Sequence, residues 1–270
     1  MAFLGMLLGV PHCFPQDSGD FFDDWQKRAS ATQADQPHWA TPVVTVTPRL
    51  EQEIRFDATF RTVPDGTTTD NIGNGKGLEL IPATPLELIV NVPPYLIHHE
   101  PKIRDGFGDF SMLVKYRLAS APDGKGNYIA TLFLAASFPT GAVPNGAGHG
   151  VITPTLALGK GYGPFDLQTT FGVTIPTSQS ETAGHPLLWN ATLQYQPVKR
   201  VWPEVEMNAT FWPDGPLSGK NQVFLTPGIV FGRFPIHGRL GFTFGGGVQI
   251  AASSYHQYSH GWIVTARMPF

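Results

Sequence analysis

Between Leu50 and Arg61 every second residue changes character. The even positions hold Leu50, Gln52, Ile54, Phe56, Ala58 and Phe60; the odd ones hold Glu51, Glu53, Arg55, Asp57, Thr59 and Arg61. A side-chain period of two is a β-strand with one apolar and one polar face. The charged row is the stronger constraint. Carboxylates and guanidiniums in one row need water or partners, while the opposite row of Ile and Phe needs an apolar contact. A soluble sandwich meets both needs with its apolar face inward, and a closed barrel in lipid meets them with its apolar face outward.

The pattern recurs along the chain. Phe110, Met112, Val114, Tyr116 and Leu118 share a row opposite Asp109, Ser111, Leu113, Lys115 and Arg117. Leu187 to Tyr195 alternates with Asn190, Thr192, Gln194 and Gln196. Val205, Met207, Ala209 and Phe211 alternate with Glu204, Glu206, Asn208 and Thr210, and Leu240 to Ile250 repeats the theme after Arg239. Further strands are expected near 84–95, 128–138, 151–160, 166–175, 222–232 and 261–270.

Three features choose the barrel. Long connections (Pro139–Gly150, Pro176–Pro186, Pro213–Asn221) alternate with short ones (Gly161–Pro164, Pro197–Val201, Arg233–His237), the asymmetry of outer loops and periplasmic turns. The strands run to about ten residues, enough for a tilted bilayer crossing. The chain ends with Trp262, Val264, Ala266, Met268 and Phe270 on one row, an arrangement that resembles the C-terminal strand by which outer-membrane barrels are recognised for assembly. Charged residues at 14% fall well below the roughly 25% of soluble domains. An all-β, closed antiparallel transmembrane barrel is expected. The count is about twelve strands, with Gly77–Pro82 completing the set and ten as the alternative.

Residues 1–42 read as an export-signal remnant followed by a polar, loosely ordered periplasmic leader, and residues 43–270 as the barrel. Ala2 to Val10 is too short and apolar for anything but the core of a signal or an ordinary N-terminus, and no Lys or Arg precedes it. Cys13 is the single cysteine, so no disulfide framework exists. A net charge of -3 argues against nucleic acid as a partner.

Gly106-Phe107-Gly108-Asp109 leading into Leu113 to Arg117, together with Phe138 to Gly141, Gly163-Pro164-Phe165 and Thr226-Pro227-Gly228 through Gly238 to Gly241, resembles the outer-membrane transporters grouped as "MetA-pathway of phenol degradation". The resemblance spans roughly residues 43 to 270 and is carried by the set, not by any one motif. It implies a barrel of about a dozen strands associated with uptake of aromatic compounds, and no catalytic residues.

The expected pore lining is Glu51, Glu53, Arg55, Asp57, Arg61, Glu87, Asp109, Lys115, Arg117, Asp166, Glu204, Glu206, Arg239 and Arg267. Such a set either selects what passes or is a salt-bridge network that stiffens a small barrel. Tyr116, Tyr195, Trp202 and Trp262 suit the membrane interface. Gly73 to Gly77 lacks the Ser/Thr and helix of a phosphate loop and reads as a flexible outer loop. His98-His99-Glu100 and His256/His260 lack further ligands at metal spacing. The sequons at Asn190 and Asn208 fall inside strands, and Ser111 and Ser137 have no histidine near in sequence. No enzyme activity, cofactor or metal is expected. The reading is an outer-membrane channel for small solutes, aromatic or hydrophobic compounds among them, in a Gram-negative bacterium. Lipid and the assembly machinery are its partners; the alternative is a closed barrel that binds a ligand or anchors a complex.

Overall fold

A computed structural model describes residues 18–270; Ala2 to Val10 and Cys13 lie outside them. After helix α1 (Ser18–Ala34) come β1 (Glu53–Thr62), β2 (Thr68–Gly73), β3 (Gly77–Ala83), β4 (Leu86–Asn91), β5 (Tyr95–His98), β6 (Gly106–Phe107), β7 (Phe110–Ala121), β8 (Tyr128–Phe138), β9 (Val151–Tyr162), β10 (Phe165–Val173) and β11 (Ile175–Pro176). A short helix α2 (Ser180–Ala183) precedes β12 (Leu187–Tyr195), β13 (Val201–Phe211), β14 (Asn221–His237), β15 (Leu240–Ala251) and β16 (His260–Pro269). Four pairs of segments are single staves with an interruption: β2 with β3, β4 with β5, β6 with β7, and β10 with β11. Twelve antiparallel staves result, and β1 pairs β16 from Glu53↔Pro269 to Thr62↔His260, closing the sheet. Closure leaves no unpaired strand edge for hydrocarbon to meet.

The two interruptions nearest β1 have chemical causes. Between β2 and β3, Gly73, Asn74 and Gly75 all take positive φ, which glycine and asparagine tolerate, and the stave bulges. The expected outer loop at Gly73 to Gly77 is therefore a bulge within the wall. Between β4 and β5, Val92-Pro93-Pro94 removes two ladder donors.

The longest connections gather at one end. One end carries 84–85, 122–127, 163–164, 196–200 and 238–239; the other carries 63–67, 99–105, 139–150, 177–186, 212–220 and 252–259. We call these the turn end and the loop end. Arg233–His237, expected as a short connection, is the end of β14. The turn itself is Gly238-Arg239.

The faces are inverted relative to a soluble fold. Ile54, Phe56, Val114, Leu118, Leu134, Leu193, Val205 and Val264 are exposed on the outer surface, whereas Asp57, Lys115, Gln168, Thr192, Glu206 and Arg267 are buried inside. Water would leave that outer band unsatisfied and hydrocarbon does not. Tyr128, Tyr162, Phe165 and Tyr195 flank the turn end, and Trp189, Phe211 and Trp262 the loop end, where amphipathic rings suit an interface. Trp202 does not join them. It is buried and shares its row with Glu204 and Glu206, so it points into the lumen.

Val114 sits mid-stave between Leu88 and Leu134. Val114→Arg is expected to destabilise the barrel by about 2–4 kcal/mol, read by urea unfolding in lipid vesicles. A variant as stable as the native protein would reverse the face assignment.

Candidate functional site

The lumen is occupied. Helix α1 lies at the turn end, where Trp25 Nε1 donates to the Ile81 carbonyl at 2.8 Å, Arg117 donates to the Thr32 carbonyl at 2.7 Å, and the Thr32 and Thr84 hydroxyls lie 2.9 Å apart. Residues 35–52 then run through the barrel and lead into β1. Residues 18–42, expected within a loosely ordered leader, are thus a helix and the first part of a lumenal plug. The barrel wall begins at Glu53 and not at residue 43. Leu50 and Gln52, expected on the outer row, have no exposure at all.

This segment belongs to no ladder, and Pro37, Pro42 and Pro48 explain why. Each removes a backbone donor and holds φ near the extended value. The remaining backbone groups must still be paired, and the wall's charged side chains do it. Glu204 accepts from the Val43 N–H at 2.8 Å, and Glu206 accepts from Val44 and Thr45, both at 2.7 Å. Across the bore, Arg55 donates to the Val43 carbonyl at 2.6 Å, and Arg267 to the carbonyls of Thr41 at 2.5 Å and Pro42 at 2.6 Å. Lys115 donates to the Arg49 carbonyl at 3.0 Å, Thr131 to that of Pro48 at 2.6 Å, and Glu87 accepts from the Glu51 N–H at 2.6 Å. Acids bind the donors and bases bind the acceptors, so the wall substitutes for a neighbouring strand.

The same residues pair with one another. Lys115 and Glu87, both fully buried, lie 3.0 Å apart; Arg55 and Asp57 meet at 2.8 Å, and Arg49 and Glu51 at 3.1 Å. Glu53 and Arg61 also face inward from β1, Arg61 with its guanidinium 4.8 Å above the Tyr258 ring. Asp166 accepts from Gln168 at 3.0 Å. Two members of the expected lining lie elsewhere. Asp109 stands at the loop end, where its two oxygens accept from the backbone N–H groups of Gly141 at 2.9 Å and Ala147 at 2.7 Å and hold the 139–150 loop. Arg239 is in the turn 238–239 and donates to Ser30, Gln33 and Phe270. Glu51 projects from the plug and not from a stave.

Uncharged lumenal residues were not singled out by the alternation of charge. Gln168 bridges Thr47, Ala40 and Gln194, and Gln194 reaches Glu204. Lys76, in the β2–β3 bulge, lines a void of about 30 Å³ beside the plug with Thr47, Arg55, Glu79 and Lys115. That is room for a water or two. The sequons are lumenal as well, with Asn190 donating to Thr170 and Asn208 donating to Thr45. At the loop end His98 meets Asn145 and His99 meets Asp70. His185 and Asp214 join two loops at 2.7 Å, and the hydrogen bond from His185 holds the Asp214 carboxyl below the usual aspartate range.

Outward on β16 stand Trp262, Val264 and Met268, with Ala266 partly covered. Phe270 continues the pairing beyond the strand, its N–H donating to the Gln52 carbonyl at 3.1 Å.

No family model and no curated protein matches the chain. An outer membrane channel from Pseudomonas putida F1, solved by crystallography, superposes with a TM-score of 0.57 over 86% of this chain and 100% of that one, at 11% sequence identity. At that identity the likeness is one of architecture: the chain is similar in fold to an outer membrane channel.

Proposed function

We propose that the chain is an outer-membrane channel for small solutes, non-enzymatic, whose lumen residues 35–52 occlude at rest. The observation that carries this reading is the nature of the filling. A barrel that only anchors a complex is served by a packed wall-to-wall network. Here the wall charges are spent on a separate segment held by hydrogen bonds, with its end tied to a helix at the turn end. Such contacts exchange readily with water once the segment shifts. The outward apolar band supports the membrane, and the short turns on one end support a periplasmic orientation for it. The resemblance to the phenol-degradation transporters is what supports counting aromatic compounds among the solutes. The closed barrel is the second reading, favoured by the grip on the segment from both sides of the bore.

Planar-bilayer recordings separate the two. The native protein is expected to conduct weakly, and Glu51→Gln, Glu53→Gln and Asp57→Asn combined should shift its preference toward anions, most clearly at low salt. Absence of both conductance and solute uptake in the native protein would establish the closed barrel instead.

A further inference from the structure

Beside the plug, at the turn end of the bore, lies a cavity of about 390 Å³. Its walls are of two kinds. Trp39, Trp202 and Val230 form one side, all at most 7% exposed and packed into one apolar cluster with Val43, Ile129 and Ile263. The other side carries Arg49, Arg233, Arg239 and Arg267, with Glu51 and Glu53 as the carboxylates. Arg49 is matched by Glu51. Three guanidiniums then face one carboxylate.

Their hydrogen bonding is incomplete. The Nε groups of Arg49, Arg239 and Arg267 are buried and have no partner among the described residues, and Arg267 is only 2% exposed. Arg239 and Arg267 already donate through their other nitrogens to Ser30, Gln33, Phe270, Thr41 and Pro42, whereas Arg233 lines the cavity with no side-chain hydrogen bond or ion pair among the described residues, which leaves its guanidinium free for an acceptor there. Arg233 reaches the cavity because β14 shifts register between Phe231 and Phe234. Gly241 leaves space for it, since a Cβ there would lie 2.7 Å from Arg233 Nε. The mouth continues the same sign of charge: Lys199 and Arg200 line an adjoining hollow that shares His38, Trp202 and Arg233.

We infer that this cavity is a binding site for a small amphiphilic organic anion, a monocarboxylate with a compact apolar body. The guanidiniums present donors for the carboxylate, and the indole faces with Val230 cover the apolar body. A purely inorganic anion would leave the tryptophan side unused, and a neutral amphiphile would leave the arginines unpaired. The site stands independently of conduction, because binding is measured whether or not solute crosses.

Titration calorimetry on the full chain in zwitterionic nanodiscs tests it, with hexanoate as probe. Saturable one-site binding is expected, at least about tenfold tighter than for hexanamide, the neutral isostere. Inorganic phosphate is expected to bind more weakly than hexanoate. Arg233→Gln should weaken hexanoate about tenfold, and Arg239→Gln similarly, with the barrel still heat-modifiable. Lys102→Gln, at the loop end, should change nothing. No saturable hexanoate binding, equal binding of hexanamide or of phosphate, or indifference to both arginine variants would each overturn the assignment.

Discussion

Deleting residues 18–50 is expected to raise single-channel conductance on the order of tenfold or more, because twelve staves at ordinary spacing and tilt set a backbone radius of about 12 Å. Side chains reduce that bore, and the extended segment fills most of what they leave. The wall should survive the deletion. Glu204, Glu206, Arg55 and Arg267 lose the backbone groups of Val43, Val44, Thr45, Thr41 and Pro42, but the emptied lumen admits water to replace them. Charges that would be stranded in a dry core are hydrated instead. Recordings in planar bilayers, with heat-modifiability to confirm folding, check the expectation. A folded deletion variant that conducts no better than the native chain would show that loops, and not this segment, close the barrel.

The second large effect concerns Lys115. It is one residue from lipid-facing Val114 and looks like an ordinary polar lumenal position. Its ammonium, however, is 3.0 Å from a fully buried Glu87. Lys115→Met leaves that carboxylate without its counter-charge and is expected to cost about 3–5 kcal/mol. Adding Glu87→Gln removes the stranded charge while keeping an acceptor for the Glu51 N–H, and should recover most of the loss. Urea unfolding in vesicles measures both. A single variant within about 1 kcal/mol of the native protein would show that water already reaches the pair.

The barrel was legible because lipid outside and charge inside impose a period of two over whole staves. Val114 to Leu118 and Val205 to Phe211 show it without interruption. It was least legible where the backbone departs from the ladder. Gly73 to Gly77 reads as a loop because positive-φ residues serve a bulge and a turn equally well. Pro93-Pro94 hides the continuation of β4 into β5. The plug was missed for a different reason. Thr41 to Pro48 is rich in strand-forming residues, yet its prolines bar a ladder, and its partners are side chains up to 226 residues away. No local pattern records such partners. One signal was available: Trp202 shares parity with Glu204 and Glu206, so an indole on the charged row marked something apolar inside the bore.

Apart from Asp109, Arg239 and Glu51, the charged set projects inward from the wall, but the use made of it was not legible. Charges at alternate positions are the same whether they line water or bind a backbone. Only the positions of Val43 to Thr45 and of the Arg49 carbonyl distinguish the two.

The contacts of the plug also bear on the order of events in folding. Arg55 stands on β1 and Arg267 on β16, paired directly across the strands that close the cylinder, and both donate to neighbouring carbonyls of the same three residues, Thr41 to Val43. Gln52 and Phe270 exchange hydrogen bonds just beyond that junction. The first and last staves therefore meet around a strip of chain that each already grips. Seating the strip and sealing the cylinder become a single cooperative step in time, in which the future interior acts as the template on which the wall finds its final neighbour.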